Sequence, residues 1–470
     1  MFHLESTYAN LPDILHRPAK AMPVAAPQLV IANHELAKAI GFPAGWLDQR
    51  HSLQLLSGNE NSSAIAMAYA GHQFGHFVPS LGDGRAYLLG EIVGPDGVRR
   101  DLHLKGAGRT AYSRGGDGRA TLKAMLREYI ISEAMAGLGI ATTRALAVVA
   151  TGEDVPRERL EPGAVLTRVA RSHVRVGTFQ YLAARSEVAA LAILVDYEVA
   201  RNFPGGPAGP ERFLWFLSQV IARQADLIAK WMGVGFIHGV MNTDNMSVCG
   251  ETIDYGPCAF IDGFHPQKVF SSIDQHGRYA WDNQPTIALW NLTRLAEALL
   301  PLFDAEQAAA IKLAEAELRK FLPAFEQAFE AGMMRKLGST VAQEGDGEFI
   351  AATLMAMTDG QADFTNFFVA LSDDSGVDAF FKDDAAHVEW AAKWRAHVAS
   401  PDRIVMQASN PRFIARNHRV EQALEAARNG DFSAVTKLVA ILARPFDVHA
   451  AEYASSPTAD EMVHATFCGT

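Results

Sequence analysis

The segment His238-Gly239-Val240-Met241-Asn242-Thr243-Asp244-Asn245, followed by Asp254-Tyr255-Gly256, constrains this chain more than any other stretch. Asn245 and Asp254 offer hard oxygen ligands at a spacing that suits a divalent cation bridging phosphates. Asp244, beside Asn245, is a carboxylate able to accept a proton from a hydroxyl. His238 reads as a brace of the loop rather than as a reacting group. The segment begins directly after a helical stretch, Phe213–Met232, whose apolar residues form one stripe and which ends at Gly233-Val234-Gly235. A loop carrying these groups predicts nucleotide chemistry.

The order of these residues resembles the catalytic segment of protein kinases, which reads H-R-D-x-x-x-x-N and then D-F-G. His238 and Asn245 keep the seven-residue offset, and Asp254-Tyr255-Gly256 stands in the place of D-F-G. Val240 occupies the place of the kinase base, and a carboxylate reappears at Asp244. The metal-holding pair is therefore kept while the group that activates a hydroxyl is displaced. The resemblance implies a reaction that need not be phosphoryl transfer.

Upstream, Ala86–Val93 and Val98–Lys105 read as a hairpin around the turn Gly94-Pro95-Asp96-Gly97. Lys105 ends the second strand and resembles the kinase lysine that holds phosphates. Glu128, 23 residues on (128 − 105), lies within a helical pattern of Leu122, Met125, Leu126, Tyr129 and Ile130 that starts at Asp117-Gly118 and ends at Gly137 and Gly139. Glu128 is the expected partner of Lys105, and Glu133 faces elsewhere. Ala145–Val149 and Ala164–Val169 read as strands around a polar turn, and from about residue 181 the chain is helical. Pro12, Pro18, Pro23 and Pro27 interrupt the first sixty residues, where an extended segment leads into a short helix at His34–Ile40. The fold class expected is α+β: a bilobal, protein-kinase-like fold with a large helical C-terminal extension. The expected divisions are an N-terminal extension over 1–60, a β-rich lobe over 61–180, a helical lobe with the catalytic segment over 181–284, and the extension over 285–470.

Three further groups carry a functional and a plain reading each. Gly82-Asp83-Gly84-Arg85 is either a simple turn or a loop whose N–H groups approach phosphates, with Arg85 adding a fixed charge. Asp117-Gly118 is either a helix N-cap or part of a glycine-rich loop that contacts a nucleotide. Arg168, Arg171 and Arg175 are either surface arginines or a phosphate clamp.

Composition narrows the partners. The 470 residues carry a net charge of −11, which makes nucleic acid a poor main partner. No apolar run is long enough to cross a bilayer, and the N-terminus lacks a secretory pattern, so a cytoplasmic protein is expected. The cysteines Cys249, Cys258 and Cys468 form no zinc pattern and read as reduced thiols, although a tail bearing Cys468 could latch onto Cys258 near Asp254.

Longer strings give a more specific likeness. Ala68-Tyr69-Ala70-Gly71-His72-Gln73-Phe74-Gly75, Leu81-Gly82-Asp83-Gly84-Arg85-Ala86 and Leu104-Lys105-Gly106-Ala107-Gly108-Arg109-Thr110 resemble signatures of the selenoprotein-O family of pseudokinases. So do Arg168-Val169-Ala170 with Arg175-Val176-Gly177-Thr178-Phe179, the segment His238–Asn245, and Asn410-Pro411-Arg412 with Arg416-Asn417-His418. The resemblance implies transfer of AMP from ATP to Ser, Thr or Tyr hydroxyls of proteins, with the nucleotide flipped relative to kinases. UMP transfer with Mn²⁺ is also attributed to bacterial members. It further implies that Gly82, Gly84, Arg85, Lys105, Asp117, Gly118, Arg168 and Arg175 bind nucleotide and that Glu128 pairs with Lys105. Asp244 would be the proton acceptor, and Asn245 and Asp254 would hold Mg²⁺ or Mn²⁺. In some members a cysteine of the activation segment pairs with one near the C-terminus, positions matched by Cys258 and Cys468. The ending Phe467-Cys468-Gly469-Thr470 departs from the family's Cys-Ser-Ser.

Overall fold

A computed structural model describes residues 4–60 and 64–467. In chain order its first strands are β1 (His16–Pro18), β2 (Gln28–Ala32), β3 (Ile65–Met67), β4 (Gly71–Gln73), β5 (His76–Val78), β6 (Ala86–Val93), β7 (Arg99–Lys105), β8 (Arg144–Pro156) and β9 (Leu160–Ala170). Among the described residues β4 and β5 pair only with each other, and the other seven form one antiparallel sheet in the order β1-β3-β6-β7-β9-β8-β2. The proline-rich N-terminal segment thus supplies both edge strands.

The β6–β7 turn forms for the reasons its sequence suggests. Gly97 takes φ +73°, its N–H reaches Gly94 O at 2.9 Å, and Asp96 accepts a two-pronged bond from Arg100 at 2.9 and 2.6 Å. Strand alternation then sorts β7 by face. Leu102 and Leu104 enter an apolar core shared with Leu146, Val149, Val165 and Val169, roofed by Leu36, Ile40 and Trp46 of the N-terminal segment. Asp101, His103 and Lys105 are left on the opposite face, which looks toward the helix Leu122–Gly137.

That helix starts later than the sequence suggests. Its N-cap is Thr121, whose hydroxyl accepts the Ala124 N–H, and not Asp117. Asp117 instead closes its own turn with the Arg119 N–H at 2.9 Å. The helix is buried on nearly all sides, against β8 and β9 in front and the helices Asn417–Arg428 and Ser433–Leu442 behind. Strands β8 and β9 run longer than the expected Ala145–Val149 and Ala164–Val169. A register shift between Ala150 and Asp154, with Gly152 at φ +73°, lets polar residues continue the ladder instead of ending it.

The remainder is mainly helical, from Val176–Ala183 through Arg212–Gly233 and Gln284–Phe303 to Ser433–Leu442. A β-rich part followed by a helical part is the expected α+β, bilobal, kinase-like arrangement. A two-residue ladder, β10 (Phe236–Ile237) against β11 (Ala259–Phe260), pins both ends of the segment 238–258. Among the described residues no helix is long and apolar enough to cross a membrane.

Candidate nucleotide-binding and catalytic site

Between the sheet and the helical part lies a cleft of about 950 Å³, within the range of roughly 300–1,000 Å³ usual for small-molecule sites. Gly82, Gly84, Arg85, Lys105, Asp117, Gly118, Glu128, Arg168, Arg175, Asp244, Asn245 and Asp254 all line it. The structure therefore brings the expected nucleotide, metal and base residues to one cleft, with Arg171 of the arginine cluster left outside it.

An ionic cluster forms its floor. Lys105 Nζ donates to Glu128 Oε2 at 2.6 Å and to Asp254 Oδ1 at 2.8 Å. Arg168 Nη1 reaches Asp254 Oδ1 at 2.7 Å and Glu128 Oε1 at 3.3 Å, and Arg175 Nη2 lies 3.4 Å from Asp254 Oδ2. Burial alone would raise the Asp254 carboxyl, but Lys105, Arg168 and Arg175 outweigh it and hold the group well below the usual carboxylate range. Asp254 also sits in the left-handed backbone region at φ +64°, a conformation Asp tolerates better than most side chains.

These groups suit a hard cation. Asp254 Oδ1 is spent on Lys105 and Arg168, so Oδ2 is the oxygen best placed to accept one. The Asn245 side-chain nitrogen donates to Val240 O at 3.0 Å, which leaves its Oδ1 as the acceptor. Among the described residues no cluster of three His, Cys, Asp or Glu could hold a metal. An amide plus one carboxylate fits Mg²⁺ or Mn²⁺ that takes its other ligands from water and phosphates.

Asp244 is placed differently. It lies in a single helical turn, Thr243–Asn245, clamped from above by the β4–β5 hairpin. The His72 N–H bonds Thr243 Oγ1 at 2.7 Å and the Phe74 N–H bonds Asn242 Oδ1 at 3.0 Å. The buried Asp244 Oδ1 has no partner among the described residues. Burial pushes this carboxyl up to about 6, although its own backbone, Arg175 and the Gln73 side chain pull the other way. A carboxyl poised there can take a proton near neutral pH. A Cβ on Gly71 would fall 2.2 Å from Asp244 Oδ1. Gly71→Ala is accordingly expected to displace this carboxyl and, if it serves as the base, to lower kcat by about a hundredfold, the scale of a 1 Å misplacement. Nucleotide affinity should hardly change, and a parallel loss of affinity, read by calorimetric titration, would contradict this placement.

The glycine loops are shaped by close approach. Gly82, at φ +62°, lies against the Tyr112 ring, and Gly118, at φ +70°, lies against the Gly108 backbone, whose N–H bonds Gly118 O at 3.0 Å. Asp117 is bound by Arg157 at 2.7 Å, a residue with no signal in the sequence. The three-arginine cluster divides. Arg168 and Arg175 line the cleft, but Arg171 does not, and its backbone N–H bonds Glu251. Glu133 faces away, bound to Arg144 and Asn33. His238 is buried, with Nε2 2.9 Å from Ile253 O, and acts as a brace.

Sequence reasoning missed Tyr69, whose ring carries the Arg175 guanidinium at 4.4 Å, and Gln73. Both lie in the string Ala68–Gly75 and gave no chemical pattern of their own. Cys258 and Cys249 are buried free thiols, and burial pushes Cys258 up to about 11. Cys468 lies outside the described residues, but the chain just before it is fixed. The Thr466 N–H bonds Phe270 O, and its hydroxyl bonds Pro257 O, next to Cys258.

Comparisons with known proteins identify the family. A family model described as "Protein adenylyltransferase SelO" matches residues 2–443. The chain is 52% identical over 487 residues to a protein of Rhodopseudomonas palustris (strain BisB18) named "Protein nucleotidyltransferase YdiU", covering 100% of this chain and 99% of that protein. Proteins of the same name from Bradyrhizobium sp. strains BTAi1 / ATCC BAA-1182 and ORS 278 are 53% and 52% identical over 488 residues, with the same coverage. The chain belongs to the SelO family of protein adenylyltransferases.

Proposed function

We propose that this protein is a nucleotidyltransferase that moves AMP from ATP, or UMP from UTP, to Ser, Thr or Tyr hydroxyls of target proteins. The observation that carries the reading is the lone base. Val240 stands where a kinase has its carboxylate, and Asp244, a buried carboxyl that lines the cleft and whose Oδ1 has no partner among the described residues, supplies one instead. In the step proposed, the acceptor oxygen bonds to the α-phosphorus and its proton passes to Asp244. The bond from the α-phosphorus to the bridging oxygen breaks, and pyrophosphate leaves. Arg168 and Arg175 bind the departing phosphates, where negative charge develops. Lys105, fixed by Glu128, steadies the nucleotide, and the Gly82–Arg85 and Asp117-Gly118 loops enclose it. A bound Mg²⁺ or Mn²⁺, held by Asn245 and Asp254, would screen repulsion among the phosphates.

Labelled nucleotide tests this directly. Label in the α-phosphate of ATP should remain on an acceptor protein and label in the γ-phosphate should not. Retention of γ-label would make the protein a kinase. Parallel incubations with UTP, Mg²⁺ and Mn²⁺ choose donor and metal.

Lys105 and Glu128 should behave as one unit. Lys105→Met and Glu128→Gln should each lower kcat/KM about tenfold or more, and the double variant should lose no more than about threefold beyond the worse single variant. Clean additivity in this cycle would mean that the 2.6 Å contact does not matter to turnover.

The family's cysteine pairing is proposed here as well. Cys258 is buried, so oxidation requires the activation segment to open, and the Thr466–Pro257 bond keeps the tail next to it. With oxidised glutathione as electron acceptor, Cys258 and Cys468 should join and activity should fall, with recovery on reduction. Peptide mapping that finds Cys249 in the bridge, or all thiols free, would exclude the latch.

A further inference from the structure

Arg168 lies directly across from His103 in the β7–β9 ladder, so the two side chains share the cleft face of the sheet. Its guanidinium is held from behind as well as from the front. Arg168 Nε donates to His173 Nε2 at 3.1 Å, and Nη2 lies 3.2 Å from His103 Nδ1. A guanidinium has donors only, so both ring nitrogens must accept, and each imidazole must carry its proton on the other nitrogen. Both of those nitrogens face a carboxylate. His103 Nε2 is 3.0 Å from Asp83 Oδ2, and His173 Nδ1 is 2.8 Å from Asp101 Oδ2. The hydrogen-bond network is therefore satisfied in one arrangement only: His103 as the Nε2–H tautomer and His173 as the Nδ1–H tautomer.

The carboxylates are fixed in turn. Asp83, within the Gly82-Asp83-Gly84 loop, accepts the Met67 N–H, and Asp101 accepts the His173 N–H and Arg201 Nη2. Arg168, His103, His173, Asp83 and Asp101 are each no more than 2% exposed. The imidazoles stack with centroids 4.3 Å apart, and the Arg175 charge disfavours protonation of both. A proton added to either ring would remove an acceptor and set a cation against the guanidinium. Burial, together with Arg168 and Arg175, keeps both rings below the usual imidazole range, against the pull of Asp83.

We propose that His103 and His173, each oriented by a buried aspartate, are positioning residues that hold Arg168 in the one orientation able to meet the nucleotide phosphates. This rests on the reading of Arg168 as a phosphate ligand. Four of its five N–H groups are taken, by His173, His103, Asp254 and Glu128, and one on Nη2 is left for a phosphate oxygen. A guanidinium fixed before the nucleotide arrives loses less conformational freedom on binding. Through His103, Asp83 ties the glycine loop to this arginine.

Two measurements test the proposal. The first uses the wild-type full chain without nucleotide, so its failure is separable from failure of the transfer assignment. Imidazole ¹H–¹⁵N correlation spectra at neutral pH, assigned with His103→Asn and His173→Gln, should show two neutral rings of opposite tautomer. A protonated ring, or His173 as the Nε2–H form, would overturn the proposal. The second reads the dissociation constant of Mg²⁺–ATP. His103→Leu should raise it about tenfold, the scale of one hydrogen bond to a charged group. His103→Asn, which keeps an oxygen near the Nδ1 position, should recover most of that loss. In an Arg168→Lys background, His103→Leu should add less than about twofold, because the two act together. Full additivity, or no recovery by Asn, would reduce His103 to a packing residue. If the leucine variant does not fold, the wild-type spectra decide the matter.

Discussion

Asp254→Ala is expected to lower turnover by about a thousandfold or more and to remove the tightening of nucleotide binding by Mg²⁺. A metal at a phosphoryl centre contributes several kcal/mol of charge stabilisation, which corresponds to that loss. The geometry adds a less obvious expectation. Asp254 neutralises part of a cluster that includes Lys105, Arg168 and Arg175, all within 3.4 Å of its oxygens. Its removal leaves Lys105 and Arg168 paired with Glu128 alone among the described carboxylates and takes the carboxylate contact from Arg175, on which Asp83 and Asp244 act from farther off. Metal-free ATP, which carries more negative charge than the metal complex, should therefore bind the variant at least as tightly as it binds wild type. Calorimetric titrations with and without Mg²⁺ separate the two effects. A variant whose affinity still rises with Mg²⁺ as wild type's does would remove Asp254 from the metal site.

Much of this site was legible because its signals are local. The offset between His238 and Asn245 and the tripeptide at Asp254 lie within one segment, and helical spacing was enough to put Glu128 on a buried helix. What stayed hidden depends on contacts between distant segments. Alternation along β7 places His103 on the face of Lys105, but only the pairing with β9 brings Arg168 opposite it. Asp117 looked like a cap because Asp before a helical pattern usually is one, and the helix instead waits for Thr121. The β8–β9 hairpin was read short because polar residues and Gly152 look like a turn, whereas a bulge carries them within the ladder. The burial of Cys258 follows from packing across the lobes, which no local pattern reports.

Asp244→Asn should lower kcat by about a hundredfold to ten-thousandfold, the usual worth of a general base, while the dissociation constant of the nucleotide changes little. A carboxylate has no bond to donate to a phosphate, and in the proposed step Asp244 acts only when an acceptor hydroxyl loses its proton. The pH dependence follows from its surroundings. Burial disfavours the charged carboxylate and raises this group from the usual range to about 6. Only the ionised form can accept a proton, so kcat in wild type should fall about tenfold per pH unit below about 6 and level off above it. The acid limb should vanish in Asp244→Asn, which has no carboxyl to titrate. Gln73 supplies the sharper control. Its side chain hydrogen-bonds the ionised carboxylate and draws the group downward. Gln73→Leu removes that bond and should move the acid limb to higher pH while leaving nucleotide affinity alone. A limb that stays in place in Gln73→Leu, or persists in Asp244→Asn, would assign the titration to another group and take the base away from Asp244.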